Sequence, residues 1–293
     1  MKKILWIMGL VLLLTACGKE KEEEEEIISK IKDHEGNEYV IKYYGTQLWM
    51  AENMRCITTK SGTNILKWPA NGQFSYEEPM AYYFGDRANN SLDGKGCLYN
   101  FAAAREICPD GWHLPTVDDW NTLMDYVDRE YSGVYNDDVV TVAKAMASKG
   151  GWHSCDSVVG APGYHSATNN TSKFNLMPVG NYITPAGGEV VPDFYNGSWR
   201  STLWSSSVEN ESEGLFPQAA YIFEMLWSKS SPVVREMSTF QALSVRCVKD
   251  GRPEPDGGWT GVENDDDEPE PDVTTDPNTT TDPNTVPSVI DID

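Results

Sequence analysis

The stretch Cys108-Pro-Asp-Gly-Trp-His-Leu-Pro-Thr-Val-Asp-Asp-Trp120 limits the fold more than any other part of the chain. Asn100 to Ile107, Ala-rich and helix-favouring, leads into it, and Cys108-Pro109 stops that helix, because a residue before proline is pushed out of the α region. Thr116 follows Pro115 and has Asp119 three residues on, the pattern of an N-cap with a capping-box partner. Val117, Trp120, Leu123, Met124 and Val127 then recur at helical spacing and give one apolar face. Two prolines, a glycine and the anchors Trp112 and Trp120 predict a rigid buried corner rather than a mobile lid. His113 within it is expected to bond to nearby backbone.

The chain of 293 residues is long enough for one large domain or two small ones. Its formal charge of −22 sits mostly at the ends: residues 251 to 293 hold thirteen acids and one base, and residues 18 to 26 hold six Glu and two Lys. No basic footprint for nucleic acid is present. At the N-terminus Lys2 and Lys3 precede an apolar run, Ile4 to Leu14, too short to span a bilayer as a helix. The run ends in Leu14-Thr-Ala-Cys17, which resembles a bacterial lipobox with Cys17 as the diacylated mature N-terminus. Lipid is therefore the expected membrane attachment, and Glu22 to Glu26 is a solvated like-charge block. Acidic residues directly after such a cysteine resemble the surface-export signal of Bacteroidetes lipoproteins.

Along the chain, Glu38 to Tyr44 has the β-branched and aromatic content of a strand closed by Gly45, and Gln47 to Asn53 continues as a second. Thr58 to Asn90 reads as an irregular insert rich in Gly, Asn, Pro and Ser, and Asn89 to Gly96 as a turn. Val139 to Ser148 predicts a third, shorter helix. Ala219 to Trp227 and Gln241 to Val248 are late strands. In the second, Leu243, Val245 and Cys247 alternate with Ser244 and Arg246, a half-buried pattern. Past Asp250 the composition is acidic and rich in Pro and Thr, with Thr-Thr-Asp-Pro-Asn-Thr at 274 to 279 and again at 280 to 285; disorder is expected. Val286 to Ile292, the tail's apolar piece, is read as a frayed end rather than an edge strand.

Chemistry-bearing patterns are sparse. His34, His113, His153 and His165 form no His-Glu-x-x-His or paired Cys-x-x-Cys arrangement, so neither a metal nor a cofactor is expected. Asn136-Asp137-Asp138 is an oxygen cluster that reads as a solvated turn or helix cap. There is no Gly-x-Ser-x-Gly elbow. His153 lies two residues before Cys155, but Trp152-His-Ser-Cys155 matches no catalytic signature, and a loop cysteine is the preferred reading. With Cys17 lipidated, five cysteines remain, and one unpaired leaves fifteen two-bridge patterns among which the sequence does not choose.

Gly111-Trp-His-Leu-Pro-Thr116 with Asp119-Trp120 resembles the signature of the Fibrobacter succinogenes major paralogous domain, of the kind found in Bacteroidetes lipoproteins. Gly45-Thr-Gln-Leu-Trp-Met-Ala-Glu-Asn53, Leu98-Tyr-Asn-Phe-Ala-Ala-Ala104, Leu203-Trp-Ser-Ser-Ser207 and Leu243-Ser-Val-Arg-Cys-Val-Lys-Asp250 fit in order. Phe174 to Tyr182 matches the family's internal Phe-x-x-x-Pro-x-Gly. The resemblance covers about residues 31 to 250. It implies an α+β, C-type-lectin-like domain, two to three helices on short antiparallel sheets with paired first and last strands. The domain plan is thus a signal peptide 1–17, an acidic tether 18–30, the domain 31–250 and a disordered tail 251–293.

The same resemblance implies a bridge from the end of the first helix to the last strand, Cys108 to Cys247. Cys56 with Cys97 is the second pairing expected, leaving Cys155 odd. Calcium-dependent lectin sites resemble Glu-Pro-Asn or Gln-Pro-Asp with Trp-Asn-Asp; Glu78-Pro79-Met80 and Val191-Pro-Asp193 complete neither. The ligand face implied by a lectin-like fold lies between Tyr195 and Trp227, with Tyr195, Asn196, Trp199, Arg200 and Trp227 as candidates and Asn210 and Glu211 nearby. Trp204, in the shared block, is expected in the core. The resulting expectation is a non-enzymatic outer-membrane lipoprotein facing the cell surface and binding an extracellular glycan or protein. Two other readings are a structural or tip subunit of a surface assembly and an enzyme resembling formylglycine-generating enzymes, whose reactive cysteines lie near the C-terminal end.

Overall fold

The computed structural model describes residues 29–67, 75, 77–82, 95–135, 138–183, 197–209, 217–253 and 259–260, and it divides into two units, Met1–Asp250 and Gly251–Asp293. Cys17, most of the acidic tether and the Thr-Thr-Asp-Pro-Asn-Thr repeats lie outside the described residues, as do Val286 to Ile292.

The first unit opens on a meander of Ser29–Lys32 (β1), Glu38–Tyr44 (β2) and Gln47–Met50 (β3). Gly45 turns β2 into β3 at φ 63°, and a Cβ there would lie 2.9 Å from the Tyr126 ring, so the close approach of that side chain also calls for glycine. The insert holds Leu66–Lys67 (β4) and Met80–Tyr82 (β5), and Leu98–Tyr99 (β6) completes that small sheet. Phe101–Ala104 (α1) is shorter than the expected helix and carries Asn100 as N-cap, its side chain accepting from the Ala103 N–H. After it the corner contributes a strand, Trp112–His113 (β7), and then Val117–Tyr131 (α2) begins at the Thr116–Asp119 capping box that the spacing predicts.

The third helix starts later than its pattern suggests. Gly133–Tyr135 (β8) pairs with Asp138–Val140 (β9), so the β-branched Val139 and Val140 enter a hairpin, and Val142–Met146 (α3) follows with Thr141 as its cap. Tyr182–Ile183 (β10), Arg200–Trp204 (β11), Ala219–Leu226 (β12), Val233–Ser238 (β13), Gln241–Ala242 (β14) and Val248–Lys249 (β15) complete the unit. The architecture is α+β, with three short-to-medium helices among the described residues and mostly antiparallel pairing; β4 and β5 run parallel.

The two ends of the domain meet in a five-stranded sheet ordered β1-β2-β3-β15-β7, in which Val248 faces both Trp49 and His113. A second sheet, β11-β12-β13, packs across the core. Trp120 joins them: its ring lies 4.7 Å from Trp49 and 4.6 Å from Phe223, and Phe174 meets Tyr44 at 5.5 Å. Aromatic pairs of this kind contribute about 0.5–1.5 kcal/mol each beyond their area. Trp204 is fully buried as expected and donates its indole N–H to the Tyr99 carbonyl at 2.7 Å. Cys108 and Cys247 form the disulfide that the resemblance implies, across a separation of 139 residues.

Four expectations are corrected. The segment Gln241 to Val248 is not half-buried: Ser244 and Arg246 are as enclosed as Leu243 and Val245, because chain packs on both sides of it, Tyr99 beside Leu243 and Leu203 beside Ser244, before Val248 enters the sheet between β3 and β7. Arg246, 1% exposed, donates to Asn53 Oδ1 at 2.8 Å and to the carbonyls of Phe174 and Asn175, and lies 4.5 Å over the Phe174 ring. Burial brings its pKa down to about 10, against the opposing pull of Tyr44 and Glu52.

His113 bonds not to backbone but to two carboxylates, Asp250 at 2.5 Å and Asp119 at 3.1 Å. Burial works against its charged form, yet the hydrogen bonds it donates to Asp119 and Asp250 outweigh it and raise the pKa. The capping carboxylate of α2 thus also holds the end of the domain to the corner.

Cys56 and Cys97 do not form the expected bridge; both are buried thiols. The Tyr99 hydroxyl donates to the Cys56 carbonyl at 2.8 Å and lies 3.9 Å from its Sγ. Burial pushes the Cys56 thiol well above its usual range. In the second unit, expected to lack structure throughout, Arg252–Pro253 (β16) pairs antiparallel with Trp259–Thr260 (β17).

Candidate aromatic binding site

β11 and β12 are antiparallel with Arg200 opposite Leu226, so the residues just before one and just after the other come together at one end of the pair. Those residues are Trp199 and Trp227. The Trp227 N–H donates to the Trp199 carbonyl at 2.9 Å, and the rings meet edge to face at 4.9 Å. Ser198, at φ 71°, takes the left-handed turn that delivers the chain into β11.

A third ring arrives from a distant loop. The His153 N–H donates to the Ser198 carbonyl at 2.8 Å, which lays the imidazole parallel on Trp199 at 4.1 Å and edge-on to Trp227 at 4.8 Å. Gly163 closes this arrangement from behind. Its N–H donates to the Trp227 carbonyl, and a Cβ there would meet the His153 carbonyl at 2.2 Å and the Trp227 carbonyl at 2.9 Å, a space in which only glycine fits. The adjoining Tyr164 and His165 rings lie 4.1 Å apart.

The loop is fixed from beneath by a buried cation. Lys144, with no exposed side-chain surface, donates to Asp138 Oδ2 at 2.7 Å and to the Tyr164 carbonyl at 2.6 Å, and Thr168 Oγ1 donates to the same carboxylate oxygen. Burial by itself would raise the Asp138 carboxyl, but hydrogen bonds from Lys144 and Thr168 prevail and hold it below the ordinary carboxylate range. The rings of the site therefore rest on a buried ion pair, the kind of support a preorganised binding surface needs.

Of the candidates read from sequence, the structure brings Trp199 and Trp227 together, with Trp199 41% exposed and Trp227 half-buried. Arg200 does not join them. It begins β11 and donates to Glu224 at 3.1 Å, a buried carboxylate that also accepts from Arg235, so its guanidinium is engaged in an ion pair. Tyr195, Asn196, Asn210 and Glu211 lie outside the described residues, as do Asn136 and Asp137 of the oxygen cluster and Val191 to Asp193. Asp138, the remaining member of that cluster, is paired to Lys144. No group of three or more His, Cys, Asp or Glu that could hold a metal occurs among the described residues.

From sequence, His153 stands out as a neighbour of Cys155 and as one of four histidines without metal-ligand spacing. Cys155 is buried, with Ser157 Oγ at 4.0 Å from its sulfur, and no hydrogen bond joins it to His153, whose ring is stacked on Trp199. The sequence signal near His153 is Gly160-Ala-Pro-Gly163-Tyr-His165, a stretch dense in turn residues and rings; what it packs on is not local information.

Compared with known proteins, the chain matches the family model described as the Fibrobacter succinogenes major domain over residues 42–249. Neither the curated proteins nor the solved structures contain a match.

Proposed function

The chain belongs to the Fibrobacter succinogenes major domain family, and from that premise we propose that it is a lipid-anchored, outward-facing binding protein whose extracellular ligand packs on Trp199, Trp227 and His153. The observation that carries this reading is the surface left on Trp199. Trp49, Trp120 and Trp204 have no exposed surface, whereas Trp199 keeps 41% of its own in water beside two other rings. Flat aromatic surface on a rigid support suits the apolar C–H face of a sugar ring, and equally an anchor residue of a protein partner.

A lectin-like fold is our reading of the domain because its ends pair through β3 and β15 and because Cys108 after the first helix is bonded to Cys247 at the last strand. A non-enzymatic role is our reading because Cys247, the cysteine nearest the domain's C-terminal end, is taken up in that disulfide. Attachment rests on the sequence: Lys2 and Lys3, the short apolar run and Leu14-Thr-Ala-Cys17 make Cys17 the acylated residue.

Two experiments test the proposal. Replacing Cys17 by serine should abolish lipid modification and move the protein from the membrane to the soluble fraction; membrane retention without acylation would end the anchor reading. Screening the full chain on a glycan array, with and without calcium, against the Trp199→Ala/Trp227→Ala variant should show at least a tenfold loss for any hit, a change of about 1.4 kcal/mol or more. Equal binding by a folded double variant would place the ligand elsewhere.

A further inference from the structure

We propose that a second site, a cleft of about 230 Å³ lined by Lys60, Arg105, Trp112, His113 and Ser206 and floored by the Cys108 end of the disulfide, binds a single oxyanion group. It shares no residue with the aromatic cluster. Three segments build it. The Lys60 N–H donates to the Glu106 carbonyl at 3.0 Å, which sets the turn at residues 59–62 against the end of α1. The Ser206 N–H donates to the Pro115 carbonyl at 2.8 Å, which sets the strand end after Trp204 against the corner.

The charges decide the ligand class. The chain has 45 acids against 23 Lys and Arg, so a base has acids in excess to pair with. Lys30 and Lys32 pair with Glu38, Arg129 with Glu130, Lys144 with Asp138, and Arg200 and Arg235 with Glu224. Lys60 and Arg105 make no ion pair to a described residue and, unlike other bases without one such as Lys173 and Lys229, line the same cleft. Arg105 lies 5.8 Å over the Phe101 ring, a contact that orients the guanidinium without neutralising it. Two like charges sharing a cleft repel, and an anion between them relieves that repulsion and draws further attraction from the low-dielectric wall made by Trp112 and the disulfide.

His113 adds shape rather than a donor, since both its ring nitrogens are held by Asp119 and Asp250. Those carboxylates turn the His113 side of the cleft away from negative charge, so the anion sits on the side of Lys60 and Arg105, in the cleft that Ser206 also lines. A guanidinium fork, an ammonium and a hydroxyl together fit carboxylate, sulfate or phosphate. The volume admits one such group with part of the molecule that bears it.

The test titrates the full chain with sulfate, phosphate and acetate at constant ionic strength set with chloride, following the Arg105 Nε–H and His113 ring signals by NMR. At least one of the three should give saturable shifts at these groups, and the tightest names the oxyanion class. Lys60→Ala/Arg105→Ala should weaken that binding at least tenfold, read from the His113 ring, while Lys173→Ala/Lys229→Ala, two exposed lysines elsewhere, leaves it unchanged. Lys60→Gln alone, which removes the charge but keeps a polar side chain, should weaken it by a smaller factor. Shifts that never saturate, that chloride reproduces, or that persist undiminished in the Lys60→Ala/Arg105→Ala variant would overturn the proposal.

Discussion

Replacing Cys108 and Cys247 together by alanine should lower the thermal midpoint of the domain by about 10–20 °C. The bridge closes a loop with a sequence separation of 139 residues, and in the chain-entropy account a loop of that length stabilises by about 5 kcal/mol. Domains of this kind have a total stability of about 5–15 kcal/mol, so this one bond supplies a large share. Its position adds to the effect. Cys247 adjoins β15, the strand that lies between β3 and β7 and brings the end of the domain into the first sheet. Alanine avoids burying new hydroxyls, which keeps the measured loss close to that of the crosslink. A calorimetric scan of the oxidised protein and the double variant decides it, and a shift of less than about 3 °C would mean that the packing around Trp120 holds the ends together unaided.

The second large effect is expected from Lys144→Met, which removes a buried cation and leaves its carboxylate. Breaking one side of a buried pair costs about 3–5 kcal/mol, because the remaining charge is neither solvated nor paired. Here Asp138 would lose its donor from Lys144 and keep that from Thr168, while the Tyr164 carbonyl would lose its own. The pH dependence carries the sign of the interaction. In the native protein Asp138 has a depressed pKa, so its pairing contributes stability above the unfolded carboxylate value and loses it as pH falls through the folded value. In the variant the unpaired carboxylate is raised, and protonation relieves it. The stability gap between the two proteins should therefore be widest near neutrality and narrow toward pH ~4, the ordinary carboxylate range. Adding Asp138→Asn to Lys144→Met should recover part of the loss. A gap that stays constant with pH would show that Lys144 acts through packing and not through charge. Since Lys144 also fixes the loop that carries Gly163, the single variant should weaken ligand binding at the aromatic cluster as well.

What could be read from the sequence follows the range of the interaction. The start of α2 was legible because a capping box is complete within four residues, Thr116 to Asp119, and its apolar face repeats within one helix. The Cys108–Cys247 bridge came from the resemblance to a family, not from spacing, which left the pairings open. His113 was misread because one of its two carboxylates, Asp250, lies 137 residues away. Alternation failed at Arg246 because a period of two shows which residues share a face, not whether the second face meets water. Val139 and Val140 fit a helical pattern, yet their β-branched side chains entered the β8–β9 hairpin instead. At the aromatic site, Trp199 and Trp227 were named as candidates through the resemblance, and Trp227 was also legible as the end of a strand. His153 and Gly163 were not, since only the packing of a separate loop brings them there.

The central claim is that ligand binds on the rings of Trp199, Trp227 and His153, and the indole N–H signals of the full chain test it most directly. With the strongest array hit added to saturation, the Trp199 and Trp227 signals should shift or broaden, while those of Trp120 and Trp204, buried in the core, stay in place. Unchanged Trp199 and Trp227 signals at saturation, with shifts confined to other residues, would contradict the account.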